Sequence, residues 1–154
     1  MLHKLFIGAI VSAVLSTAAF AQEFGTAAEA KAMLEKAVAA VKADKAKALD
    51  MFNKGEGGFL DRDLYPFCGN VSDGTVLAVA NPAAKPNIGK DVRTLKDATG
   101  KAYGQELFAA VQKPEGQISE VSYKFPRPGQ TELMQKVSLV TKIDDLYCGV
   151  GYYK

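Results

Sequence analysis

Cys68 and Cys148 are the only cysteines in the chain, and both lie downstream of an N-terminal segment built like a secretory leader. His3 and Lys4 give a short positive start, an apolar run extends from Leu5 to Leu15, and Ala19-Phe20-Ala21 supplies a small-x-small cleavage pattern. That apolar core is too short to span a bilayer, which favours a cleaved signal peptide over residues 1–21 against an uncleaved anchor. An even cysteine pair in an oxidising compartment is most simply a disulfide. It closes a loop of about 80 residues, for which chain entropy gives roughly 4–5 kcal/mol as an upper figure. A metal site or a catalytic thiol is the competing reading. Both are disfavoured, because residues 22–154 contain no histidine and no C-x-x-C pair. Any fold proposed for this chain must therefore bring positions 68 and 148 side by side.

Residues 22–154 are the right length for one domain with one core, and they contain no repeat, linker or low-complexity tract. The formal net charge of the whole chain is +2, and Lys4 falls in the leader. A near-neutral chain with scattered basic residues lacks the electrostatic footprint of a nucleic-acid or anionic-membrane binder. No run after the leader is long and apolar enough to cross a membrane. The expected location is the periplasm.

Hydrophobic periodicity divides the remainder. Thr26-Ala-Ala-Glu29 is a capping box, and Leu34, Ala37, Val38, Val41, Ala48, Leu49 and Phe52 recur behind it at helical spacing. One long amphipathic helix is expected from about Thr26 to Asn53, stopped by Gly55 and Gly57-Gly58. The period then changes to two. Strands are expected over 64–71 and 75–80, joined at Ser72-Asp73-Gly74, with Asn81-Pro82 ending the second. Short helical pieces are expected over 91–97 and 104–112. Three more strands follow over 117–125, 132–143 and 146–153. Five antiparallel strands with a flanking helix and a helical insertion make an α+β architecture. Cys68 then lies in the first strand and Cys148 in the last, so a bond between them joins two neighbouring strands.

The lack of histidine beyond the leader removes Ser-His-Asp and Cys-His chemistry, the usual zinc sites and a histidine-ligated haem. No catalytic residue, metal or cofactor is expected. Gly55-Glu56-Gly57-Gly58 follows a helix instead of preceding one, so it reads as a helix stop and not as a phosphate-binding loop. Asp61-Arg62-Asp63 reads mainly as a solvated turn or internal ion pair. Most of the tyrosines read as half-buried sheet residues. Tyr123 shares its strand face with Val121 and Phe125 and so points inward. Lys136 sits in the middle of a strand, which leaves two readings open: a solvent-exposed edge, or a lysine facing a cavity.

Several stretches, taken together, resemble single Cache domains. They are Gly57-Gly58-Phe59, Asp61 to Cys68, Asp73-Gly74, Asn81-Pro82 followed by Gly89-Lys90-Asp91-Val92-Arg93, and Lys136-Val137-Ser138 leading to Tyr147-Cys148-Gly149-Val150-Gly151-Tyr152-Tyr153. The resemblance implies a PAS-like fold: a five-stranded antiparallel sheet, a long N-terminal helix on one face, and short helices over the ligand face. It also implies an extracytoplasmic sensory module for a small carboxylate or amino-acid-like metabolite. The implied ligand-binding residues are Asn81, Arg93, Tyr103, Tyr123 and Lys136, with Lys136 or Arg93 neutralising a carboxylate. The family commonly has a histidine where this chain has Asn81. Cache domains are usually built into receptors or kinases, so this chain is expected either to act as a free binding protein or to pass its ligand state to a membrane receptor or kinase, without an output domain of its own. The alternative is a periplasmic interaction or structural protein that uses the long helix to form a homodimer or to dock on a receptor.

Overall fold

The computed structural model describes residues 23–154; the expected signal peptide over 1–21 lies outside the described residues. The capping box forms as the sequence predicts. The Thr26 hydroxyl accepts from the Glu29 amide at 3.2 Å, and the Glu29 carboxylate accepts from the Thr26 amide at 2.8 Å. Helix α1 (Ala27–Ala43) follows, burying Ala30, Met33, Leu34, Ala37 and Val41.

The single long helix expected from the periodicity is in fact two. Asp44 adopts an extended backbone (φ −160°, ψ 97°) and caps a second helix, α2 (Lys45–Lys54), by accepting from the Lys47 amide at 3.0 Å. A short acidic side chain that can bond the backbone two or three residues on competes with helix continuation, so the chain restarts there. Gly55, in the left-handed region at φ 70°, ends α2 as expected.

The strands are β1 (Pro66–Asn70), β2 (Val76–Val79), β3 (Ser119–Pro126), β4 (Leu133–Ile143) and β5 (Leu146–Tyr153), with α3 (Tyr103–Ala110) between β2 and β3. They form one antiparallel sheet in the order β2-β1-β5-β4-β3. The last strand is therefore central, which explains why almost every residue of β5 is buried on both faces. Cys68 faces Cys148 directly across the β1–β5 ladder, and the two form a disulfide. The helical piece expected over 91–97 is only a 3-10 turn at Val92–Thr94, held by the Asp91 carboxylate accepting from the Arg93 amide.

Each face of the sheet has its own apolar cluster. On one, α1 and α2 place Leu34, Ala37 and Phe52 against Cys68, Ile143, Cys148 and Val150. On the other, α3 and the 81–102 segment place Val92, Tyr103 and Leu107 against Val121, Tyr123, Val140 and Tyr147. No helix among the described residues is long and apolar enough to cross a membrane.

Candidate functional site

Alternation along β4 sends Lys136, Ser138 and Val140 to the face covered by α3 and the 81–102 segment. Tyr123 of β3 and Tyr153 of β5 stand opposite Lys136 on its two sides. Both neighbouring strands are paired, so Lys136 is no edge residue; it is 2 % exposed. Across β5, Gly151 lies opposite Ser138 and Gly149 opposite Val140. A Cβ at Gly151 would overlap Lys136 Cε, and one at Gly149 would overlap the Phe67 ring. Gly151 thus leaves room for the lysine stem to lie across β5, and Gly149 leaves room for the Phe67 ring beside it, so the amine reaches the segment just before β1. There its Nζ donates to the Tyr65 hydroxyl at 2.7 Å.

Above the amine is a cavity of about 50 Å³. Tyr65, Phe67, Tyr123, Phe125 and Lys136 line it from the sheet side, and Val92, Leu95, Tyr103 and Leu107 from the covering segment. The amine stands 4.3 Å from the Tyr65 ring centre, 5.3 Å from that of Tyr153, 5.5 Å from that of Phe125, 5.9 Å from that of Phe67 and 6.0 Å from that of Tyr123. The electron-rich ring faces partly stabilise a cation there. Burial nevertheless pushes the Lys136 amine down to about 7, with the charge of Asp63 pulling the other way. Asp63 itself is committed elsewhere: it accepts from Arg127 Nε at 3.0 Å and from the Gly25 amide at 2.7 Å. Among the described residues, no carboxylate pairs with Lys136, and none lines the cavity.

The structure separates the residues that the sequence singles out. Tyr103 and Tyr123 stack with ring centres 4.1 Å apart, and both line the cavity with Lys136. The Tyr123 and Ser138 hydroxyls are hydrogen bonded at 2.9 Å. Asn81 is buried but stands behind the cavity wall. Its amide nitrogen donates to the Tyr65 hydroxyl at 2.8 Å and to the Pro126 carbonyl at 3.2 Å, so it positions Tyr65. Arg93 is exposed and lies off the cavity. It pairs with Asp91 at 2.6 Å, donates to the Asp73 carbonyl at 3.1 Å and covers the Phe108 ring.

The sequence reading did not place Tyr65 or Phe67 at the cavity; it left Asp63 between a solvated turn and an internal ion pair, and Asp63 forms the ion pair, with Arg127. The readable signal was the period-two pattern Tyr65-x-Phe67, matched by Gly149-x-Gly151 in the last strand: rings on one strand, and space for a long side chain on the next. Burial raises the hydroxyls of Tyr65 and Tyr123 well above their ordinary value, so both remain protonated donors at neutral pH.

The single Cache domain 2 family model matches residues 10–153. The chain belongs to that family. Cache domains are sensory ligand-binding modules. No curated protein matches the chain. Among solved structures, it is similar to a methyl-accepting chemotaxis protein from Vibrio parahaemolyticus, with TM-score 0.63 and 24 % identity over 82 % of this chain and 86 % of that one. It is similar to a Cache chemosensory domain described for carboxylic acid recognition, with TM-score 0.57 and 22 % identity over 82 % and 86 % of the two chains. A periplasmic sensor domain of a chemotaxis protein gives TM-score 0.57 and 23 % identity over 82 % and 88 %. At these identities the likeness is one of fold. The five-stranded α+β Cache architecture and the sensory class follow.

Proposed function

We propose that this Cache domain is an extracytoplasmic sensory module that binds a small monocarboxylate, with Lys136 as its cationic anchor. One observation carries the reading: the lining of the cavity contains a single buried amine and no acid among the described residues. A buried amine without a counter-ion is costly when charged, and a ligand carboxylate supplies the missing charge. The same count separates carboxylates from amino acids, since an α-ammonium would place a second cation beside Lys136 with no acid to receive it. A dicarboxylate would bring one charge too many. The Tyr65 hydroxyl, held by Asn81, and the Tyr103–Tyr123 stack orient the ligand. The neighbour described for carboxylic acid recognition supports the same class. Arg93 is assigned to the Asp91 turn and given no part in binding.

Thermal-shift measurements with acetate, propionate and pyruvate, set against glycine, alanine and succinate, test the reading. A bound acid at a hundred times its dissociation constant adds about 2.7 kcal/mol, a shift of several degrees. Monocarboxylates should raise the melting temperature and the other compounds should not. A flat response to every monocarboxylate, or an equal response to alanine, contradicts the proposal.

A further inference from the structure

We infer that Lys136 captures small 2-oxo acids and aldehyde acids covalently and reversibly, as an imine on its Nζ. The inference rests on the carboxylate reading of the same cavity and goes beyond it by naming the carbonyl-bearing members of that class. Its geometric basis is the setting of the amine. Nζ is buried at the cavity wall, and its one hydrogen-bond partner among the described residues is the Tyr65 hydroxyl at 2.7 Å. Aromatic rings surround it, and no carboxylate ties it up as an ammonium. A lysine desolvated in an apolar pocket is the standard means of making a neutral, nucleophilic amine at neutral pH. Burial lowers this amine to about 7, so about half is unprotonated near neutrality. For a solvent-exposed lysine of ordinary pKa the neutral fraction is on the order of a thousandfold smaller.

The step balances without any oxidant or reductant. The neutral Nζ adds its lone pair to the carbonyl carbon, forming a C–N bond as the carbonyl π bond breaks, and the former carbonyl oxygen takes up a proton while the nitrogen gives one up, leaving a neutral carbinolamine. That oxygen then departs as water when the C–O bond breaks, taking one further proton, and the nitrogen is left as a protonated imine. Net, the amine, the oxo acid and one proton from solvent become an iminium carboxylate and one water. The Tyr65 hydroxyl lies within reach of Nζ and of any group bonded to it, and it stays protonated, so it can hand its proton on and recover it. The iminium retains the positive charge of the lysine. One residue therefore both bonds the carbonyl carbon and neutralises the adjoining carboxylate, in a cavity with no other cation.

The titratable groups around Nζ are Tyr65, preceding β1, Tyr123 on β3, Tyr153 and Tyr147 on β5, and Tyr103 on α3, all raised by burial. Asp63, paired with Arg127, is the charge that acts on Lys136 from outside the cavity. The rate of attack on the carbonyl should therefore increase as pH rises through about 7, in step with the neutral form of Lys136, while the amount of iminium at equilibrium falls above that pH because the net step consumes a proton.

Reductive trapping decides the matter. The protein is incubated with pyruvate or glyoxylate and sodium cyanoborohydride, digested and mapped by mass spectrometry, with thermal shifts by acetate and pyruvate measured in parallel without reductant. The expected result is a carboxyethyl group (from pyruvate) or a carboxymethyl group (from glyoxylate) on Lys136, formed at least tenfold faster than on any surface lysine. Excess acetate should suppress it, and Tyr65→Phe should slow it. A thermal shift by pyruvate with no Lys136 adduct above the surface-lysine level overturns the imine and leaves the carboxylate reading standing. An adduct on Lys136 without any shift by acetate supports the imine and removes the carboxylate reading. Neither shift nor adduct removes both. Because the site is mapped in the unaltered protein, the outcome does not depend on a variant that folds.

Discussion

At the scale of single residues, Lys136 is where stability and binding pull in opposite directions. Its amine is lowered to about 7 in the folded chain, against an ordinary value of 10.5. Between those values the unfolded chain binds the extra proton, so the stability of the ligand-free protein rises with pH. The gain begins near pH 7 and is limited to on the order of 1 kcal/mol per pH unit, until the tyrosines, whose folded values lie above 10, begin to oppose it. Urea titrations across that window should show this rise in the natural chain and its loss in Lys136→Met. The variant should also be as stable as the natural protein or more so near pH 7, because an apolar side chain of similar length replaces a buried amine. Lys136 was legible as an anomaly, a lysine in mid-strand, but its depth was not. Depth depends on β5 inserting between β1 and β4, and strand order is not written in any local pattern. Arg93 stands off the cavity for a local reason: Asp91, two residues earlier, holds the guanidinium on its own 3-10 turn. Asn81 reaches the cavity only through the Tyr65 hydroxyl, to which its amide nitrogen donates.

At the scale of elements, the strands were readable almost to their ends, because alternation and Gly/Pro/Asp punctuation agree; β5 runs over the expected 146–153. The helical region shows what apolar periodicity conceals. Val41 and Ala48 are both buried on either side of Asp44, so the stripe continues across a break in the backbone. The hydrogen bond from the Lys47 amide to Asp44 is the cause, and its signal, an acidic residue able to cap, was present in the sequence. Asp44→Ala should cost about 1 kcal/mol, the usual value of an N-cap, measured by urea unfolding. An unchanged midpoint would show that solvent caps α2 equally well.

At the scale of the whole molecule, the disulfide and the cavity occupy opposite faces of the same two strands. Cys68 and Cys148 belong to the cluster under α1, while Phe67, between Pro66 and Cys68, and Gly149 and Gly151, flanking Val150, shape the cavity side. The bond thus fixes the register of β1 against β5, and with it the distance from Lys136 to Tyr65. Reduction, or replacement of both cysteines by alanine, should lower stability by roughly 2–5 kcal/mol in urea titrations. It should also weaken carboxylate binding. The cysteine pair and the strand count were legible because each is a property of sequence order. The enclosure of the cavity was not, since it joins Tyr65, Val92, Tyr103 and Lys136 from four separate segments.

The central claim is that a small carboxylate binds at Lys136. Calorimetric titration of the natural chain and of Lys136→Met with acetate and with pyruvate, near pH 6.5 and again near pH 8.5, addresses it most directly. The account predicts binding by the natural chain, weaker at the higher pH by up to about tenfold per unit above 7 as the amine loses its proton, and loss of most of the affinity in the variant at both pH values. Equal affinity of the two proteins for the same acid would contradict it.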